Sequence, residues 1–98
     1  ELLDQFERAK EEKKGLGFMV SQFNALHPTF AAELTREYPG LSTADIQFCT
    51  LCRMNLNTKE IANLLGISVR GVEIGRYRVR KKLGLSRQDN LTNFLLRF

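Results

Sequence analysis

The stretch that decides the fold runs from Asn57 to Leu85, NTKEIANLLGISVRGVEIGRYRVRKKLGL. It holds two helical patterns around a glycine turn. Asn57-Thr58-Lys59-Glu60 is a capping-box start, in which Asn57 can accept a backbone N–H of the new helix while Glu60 reaches back. That helix is expected to run to Leu65. Gly66 stands where a helix ends in the left-handed conformation, which is costly for a residue with a Cβ. Ile67 is then expected to tuck inward, Ser68 to cap a second helix from Val69 to Leu83, and Gly84 to end it. Ala62 falls where the two helices cross, and Val72 points inward to fix that crossing. Two helices joined by so short a glycine-bearing connection have the spacing of a helix-turn-helix.

At about 100° per residue, Val72, Val79 and Leu83 share a narrow arc of the second helix that must face a core. The opposite arc carries Arg70, Ile74, Tyr77 and Lys81, flanked by Glu73 and Arg78. An isoleucine and a tyrosine among bases suit a helix that enters the DNA major groove. Ile can touch a thymine methyl, Tyr can reach a base edge or a phosphate, and Glu can accept from cytosine N4. The same arc also suits a solvated basic face whose apolar members pack on a neighbouring domain. Arg76 lies nearer the core arc, either as a phosphate contact or as a structural partner of Asp45 or Glu60.

Outward from this stretch the pattern stays helical, and no run alternates apolar and polar residues in the manner of a strand. Upstream, Ser42 or Thr43 caps a helix from Ala44 to about Met54 with Asp45 in its first turn. The segment from residue 1 to 40 reads as a linker or packing segment with three helical pieces. The first is a weak amphipathic helix from Leu2 to about Lys14. The next carries an apolar face of Phe18, Met19, Phe23 and Leu26, and Gly15 and Gly17 mark a bend before it. The last opens near Pro28 and carries Phe30, Ala31, Leu34 and Tyr38. Downstream, Ser86-Arg87-Gln88-Asp89 repeats the capping pattern and is expected to launch a final helix with Leu91, Phe94, Leu95 and Phe98 on one side. Leu91, Phe94 and Leu95 are expected to close the core, leaving Leu96 and Phe98 for a partner surface. The expected fold is all-α, with residues 41–98 as the functional domain.

Ninety-eight residues, 43% of them hydrophobic and 27% charged, suffice for one modest core but not for a large enzyme. The net charge of +4 is unevenly placed. Residues 1–40 hold seven acids against five bases, whereas residues 41–98 hold ten bases against Asp45, Glu60, Glu73 and Asp89. Six of those bases fall between Arg70 and Lys82, a cluster that attracts a polyanion or merely solvates a helix face. Cys49 and Cys52 share a helix face and read as small buried hydrophobes rather than a disulfide or a redox pair. His27 is the single histidine and is expected to cap or pack. No carboxylate pair, nucleophile with a base, phosphate loop or metal set can be assembled, so neither catalysis nor a cofactor is expected. No run reaches the 18 to 20 or so apolar residues of a membrane span, and no contact with a membrane is expected.

The segment Leu41 to Leu85 resembles the LuxR-type helix-turn-helix family, through LSTADIQFCTLC (41–52), NTKEIANLLGIS (57–68) and VRKKLGL (79–85). The resemblance implies a four-helix bacterial effector domain, its third helix, residues 69–83 here, serving for recognition. It implies transcription regulation by binding double-stranded DNA, often as a homodimer, in the cytoplasm. Opening at Glu1 rather than Met, the chain is expected to follow an upstream sensor domain in a longer protein. The departures fall on the recognition helix. Where the family usually has Thr-Val-Lys stand Gly71, Val72 and Glu73, and its frequent His is Gly75. Phosphate anchoring is therefore expected to shift to Arg70, Arg76, Arg78 and Lys81, to Lys59, to Ser68 and to helix-start N–H groups. Base reading is expected from Glu73, Ile74 and Tyr77. Two rival readings remain: a sigma-factor-like promoter-reading domain, and a helical protein-interaction or dimerisation module.

Overall fold

The computed structural model describes residues 15–98. The amphipathic segment expected from Leu2 to Lys14 lies outside the described residues. Within them every regular element is helical, and there is no strand: α1 (15–26), α2 (Phe30–Glu37), α3 (Thr43–Arg53), α4 (Thr58–Leu65), α5 (Val69–Lys82) and α6 (Leu91–Leu95). No helix among them is long and apolar enough to cross a membrane.

Local chemistry sets most of the boundaries. Ser42 caps α3 through a full capping box: its hydroxyl accepts from the Asp45 N–H at 3.1 Å, and its own N–H donates to the Asp45 carboxylate at 2.9 Å. Asn57 and Glu60 do the same for α4, at 2.8 and 3.0 Å. Gly66 closes α4 with φ 67°, and the Ile67 N–H reaches back to the Ala62 carbonyl at 3.0 Å, the Schellman closure of a helix by a left-handed residue. Ser68 then caps α5 by accepting from the Gly71 N–H at 3.0 Å. Gly84, with φ 71°, turns the chain after α5.

One core runs through all six helices. Phe23 of α1, Phe30 and Leu34 of α2, Phe48, Leu51 and Cys52 of α3, Ile61 and Ala62 of α4, Val72 and Val79 of α5, and Leu91 and Leu95 of α6 belong to a single buried cluster. Phe23 and Phe30 meet edge to face at 5.2 Å. His27 packs on Phe23, ring centroids 4.7 Å apart. Cys49 and Cys52 are buried free thiols, and burial pushes Cys49 up to about 12, so it stays protonated and behaves as a small hydrophobe.

Five expectations need correction. Ile67 does not tuck inward. It is 44% exposed, its Cδ1 lying 3.4 Å from where a Cβ on Gly71 would stand, because the Schellman turn directs it over the first turn of α5. In α1 the inward stripe is Leu16, Val20 and Phe23, while Phe18 and Leu26 face outward. Pro28 precedes α2, which is capped at Thr29. The last helix starts at Asn90, whose side chain accepts from the Asn93 N–H at 2.9 Å. Ser86 to Asp89 instead form a separate turn, in which the Asp89 carboxylate accepts from the Ser86 N–H and hydroxyl. Phe98 is not left over: with Phe94 it packs on Tyr38, at 6.4 and 6.0 Å, fastening the chain end to the end of α2.

Gly75 stands where α5 packs against the Phe48 side chain of α3. A Cβ there would lie 2.9 Å from Cε2 of the buried Phe48 ring. Gly75→Ala is therefore expected to destabilise by about 1 to 2 kcal/mol even though alanine is the better helix former by about 1 kcal/mol. In urea unfolding, the double variant Gly75→Ala/Phe48→Leu should lose clearly less than the sum of the two single variants. Strict additivity would show that the ring is not what the glycine makes room for.

Candidate nucleic-acid interface

The site is one helix, α5, with different side chains on its different arcs. Its inner arc is Val72, Gly75 and Val79, all buried, followed by Leu83 just beyond the helix. On both flanks of that arc stand bases that fasten the helix to its surroundings.

On one flank are Arg78 and Lys82, one turn apart. Both bind Asp45, which is only 1% exposed: Arg78 Nε donates to Oδ1 at 3.2 Å and Lys82 Nζ to Oδ2 at 2.5 Å. Asp45 thus caps α3 and pins α5 with the same carboxylate. Burial pushes this carboxyl up, but Lys82, followed by the Ser42 backbone and hydroxyl, pulls it down further, to about 2.

On the other flank are Arg76 and Arg80. Arg76 donates to the Thr58 hydroxyl in the first turn of α4. The guanidinium of Arg80 donates to two carbonyls of the following turn, those of Asp89 at 2.7 Å and Ser86 at 2.5 Å. Four of the six bases in this segment therefore hold structure together. Arg76 takes the structural role left open for it, with Thr58 in place of the expected Asp45 or Glu60. Arg78, expected as a phosphate contact, is the one that takes Asp45, although its side chain remains 52% exposed.

The outer arc carries Arg70, Glu73, Ile74, Tyr77 and Lys81, all exposed. Ile74 is 55% and Tyr77 68% exposed, so neither is spent on the core. Lys81 Nζ stands 6.0 Å from the Tyr77 ring centroid, at the outer edge of a cation–π contact. Val69 is also exposed at the start of the helix. Lys59 is exposed in the first turn of α4, and the Ser68 oxygen that caps α5 lies at the exposed helix start. Neither Arg70, Lys81 nor Lys59 has an ion pair among the described residues.

The outer arc could be read from periodicity alone. Asp45 was legible as an anchor of α5, but through Arg76; missed were Arg78 and Lys82 as its partners, Thr58 as the partner of Arg76, and the tie from Arg80 to the next turn. The signal for the clasp was there in the i, i+4 spacing of Arg78 and Lys82, which sets two cations on one flank. Set against models of protein families, curated proteins and solved structures, the chain matches none.

Because the Asp45 carboxyl is held down in the folded chain, its stabilising effect is complete above the unfolded value near 4 and is lost as pH falls through about 2. The size is on the order of 2 kcal/mol. Asp45→Asn is expected to lower the urea midpoint at neutral pH and to flatten the acid limb between about pH 4 and pH 2. An acid limb as steep as that of the unaltered chain would assign the acid sensitivity to other carboxylates.

Proposed function

We propose that this chain is an all-α DNA-binding domain of a transcription regulator of the LuxR type, with α5 as the helix that enters the major groove of double-stranded DNA. The observation that carries the reading is the outer arc of α5. Ile74 and Tyr77 stand exposed there between Arg70 and Lys81, while the opposite arc is seated in the core. Fourteen residues make a helix about 21 Å long, and a major groove about 12 Å wide admits one. The glycine turn joins α4 to α5 and the Asp45 clasp ties α5 to α3, an arrangement that suits a helix-turn-helix.

In this reading Arg70, Lys81 and Lys59 neutralise phosphates, helped by the N–H groups at the start of α5 beyond its Ser68 cap. Glu73, Ile74 and Tyr77 read base edges, by accepting from cytosine N4, touching a thymine methyl and bonding through a phenol. Action as a homodimer, behind an upstream sensor domain and inside a bacterial cell, belongs to the same proposal. A second reading, a helical protein-interaction module, draws on the outward Phe18, Leu26 and Leu96.

The test is a fluorescence anisotropy titration of the chain against labelled duplexes of several sequences at two or more salt concentrations. Binding is expected to be micromolar or tighter at low salt and to fall steeply as salt rises. Arg70→Ala/Lys81→Ala should weaken all duplexes alike and lower the log–log salt slope by about 2, whereas Tyr77→Ala or Glu73→Ala should change the ranking of sequences. Salt-insensitive binding, or none at low salt, would defeat the DNA reading in favour of the interaction module.

A further inference from the structure

The turn that follows α5 carries one base, Arg87, and one acid, Asp89. A groove of about 510 Å³ opens at the C-terminal end of α5, lined by Tyr77, Arg80, Lys81, Leu85, Ser86 and Arg87. Three of these residues are cations and none is an acid. We propose that the groove holds a phosphate of the DNA backbone, contacted by Arg87, whose turn Arg80 positions. The inference rests on the DNA reading above and extends its contact surface past α5.

Arg80 explains why Arg87 has a fixed place. Its guanidinium ties down the carbonyls of Ser86 and Asp89, the residues on either side of the Arg87-Gln88 pair. Asp89 closes the same turn from within, accepting from the Ser86 N–H at 2.9 Å and the Ser86 hydroxyl at 3.0 Å. These two bonds hold the Asp89 carboxyl below its ordinary range, so it stays an anion engaged by its own turn. Arg87 is exposed, and it has no ion pair among the described residues.

A helix C-terminus ordinarily repels an anion through its free carbonyls. Here the carbonyls of Val79, Arg80 and Lys81 accept from the N–H groups of Leu83, Leu85 and Gly84 at 2.9, 3.0 and 3.2 Å, so they are not bare. Tyr77 and Lys81 belong both to the outer arc of α5 and to the groove. A backbone crossing the arc is thereby led toward Arg87, and this continuity favours a polyanion over an isolated small ion.

The experiment compares the chain with Arg87→Ala, Arg87→Lys and Gln88→Ala in salt-dependent anisotropy titrations against one labelled mixed-sequence duplex and one of different sequence. Arg87→Ala should weaken both duplexes by a similar factor, about three- to tenfold at low salt, and reduce the salt slope by about 1. Arg87→Lys should recover most of the loss, and Gln88→Ala should bind like the unaltered chain. Unchanged affinity and slope in Arg87→Ala, with Arg70→Ala/Lys81→Ala still impaired, would overturn this inference and leave the DNA reading standing. Equal losses in Gln88→Ala and Arg87→Ala would also overturn it, by placing the effect in the folding of the turn. A chain that shows no salt-dependent binding would bring down both.

Discussion

A carboxylate buried between two helices is expensive unless its charge and lone pairs are answered, and the arrangement around Asp45 meets that condition on every side. Its oxygens take the Ser42 N–H, Arg78 and Lys82. The first turn of α3 and the last turns of α5 are therefore fixed by one group. Were Asp45 absent, Arg78 and Lys82 would turn to solvent, and on its α3 side α5 would have only apolar packing to set its rotation about its own axis. Packing alone is tolerant of small rotations. A pair of bonds one turn apart is not.

The rest of the domain builds on that fixed rotation. Gly75 lets α5 settle against the Phe48 ring, Val72 and Val79 seat it, and Arg76 and Arg80 bind the opposite flank to α4 and to the following turn. Any larger side chain at position 75 would have no room over Phe48, so on the proposed LuxR-type reading the departure at Gly75 belongs to a tighter seat for the helix rather than to a lost contact.

Sequence reading succeeded where the determinants are local. Asn57 with Glu60, Ser68, Gly66 and Gly84 each act within three or four residues, so spacing alone locates them, whereas for α3 it left Ser42 and Thr43 both open, and the bonds to Asp45 select Ser42. It also separated the two main arcs of α5, because helical periodicity is a property of a single segment. It failed where the partner is distant or where two local solutions compete. Arg78 meets Asp45 across 33 positions of chain, and nothing in the composition says which of Arg76, Arg78 and Lys82 lies on the α3 side. Ser86-Asp89 and Asn90-Asn93 are both good starts, and the second prevails because it lets Leu91 and Leu95 reach the core. Phe18 and Leu26 fit an apolar stripe on paper, yet the burial of Phe23 turns them outward. The charge cluster misled in a similar way. Of the six bases between Arg70 and Lys82, four were open to a phosphate role on paper, whereas Arg76 and Arg78, with Arg80 and Lys82, are engaged at home.

The division of α5 into fastening arcs and an outward arc has a consequence for how such a protein can diverge. Arg70, Glu73, Ile74, Tyr77 and Lys81 carry none of the domain's stability through burial, so they can be exchanged for other residues while the scaffold keeps its shape. Gly75, Asp45, Arg78 and Lys82 have no such latitude, since each is committed to a neighbour. On the proposed reading, relatives of differing sequence preference should differ along one stripe of one helix and agree along the others. A library varied among residues other than proline at those five outward positions would change that stripe while the scaffold stays folded.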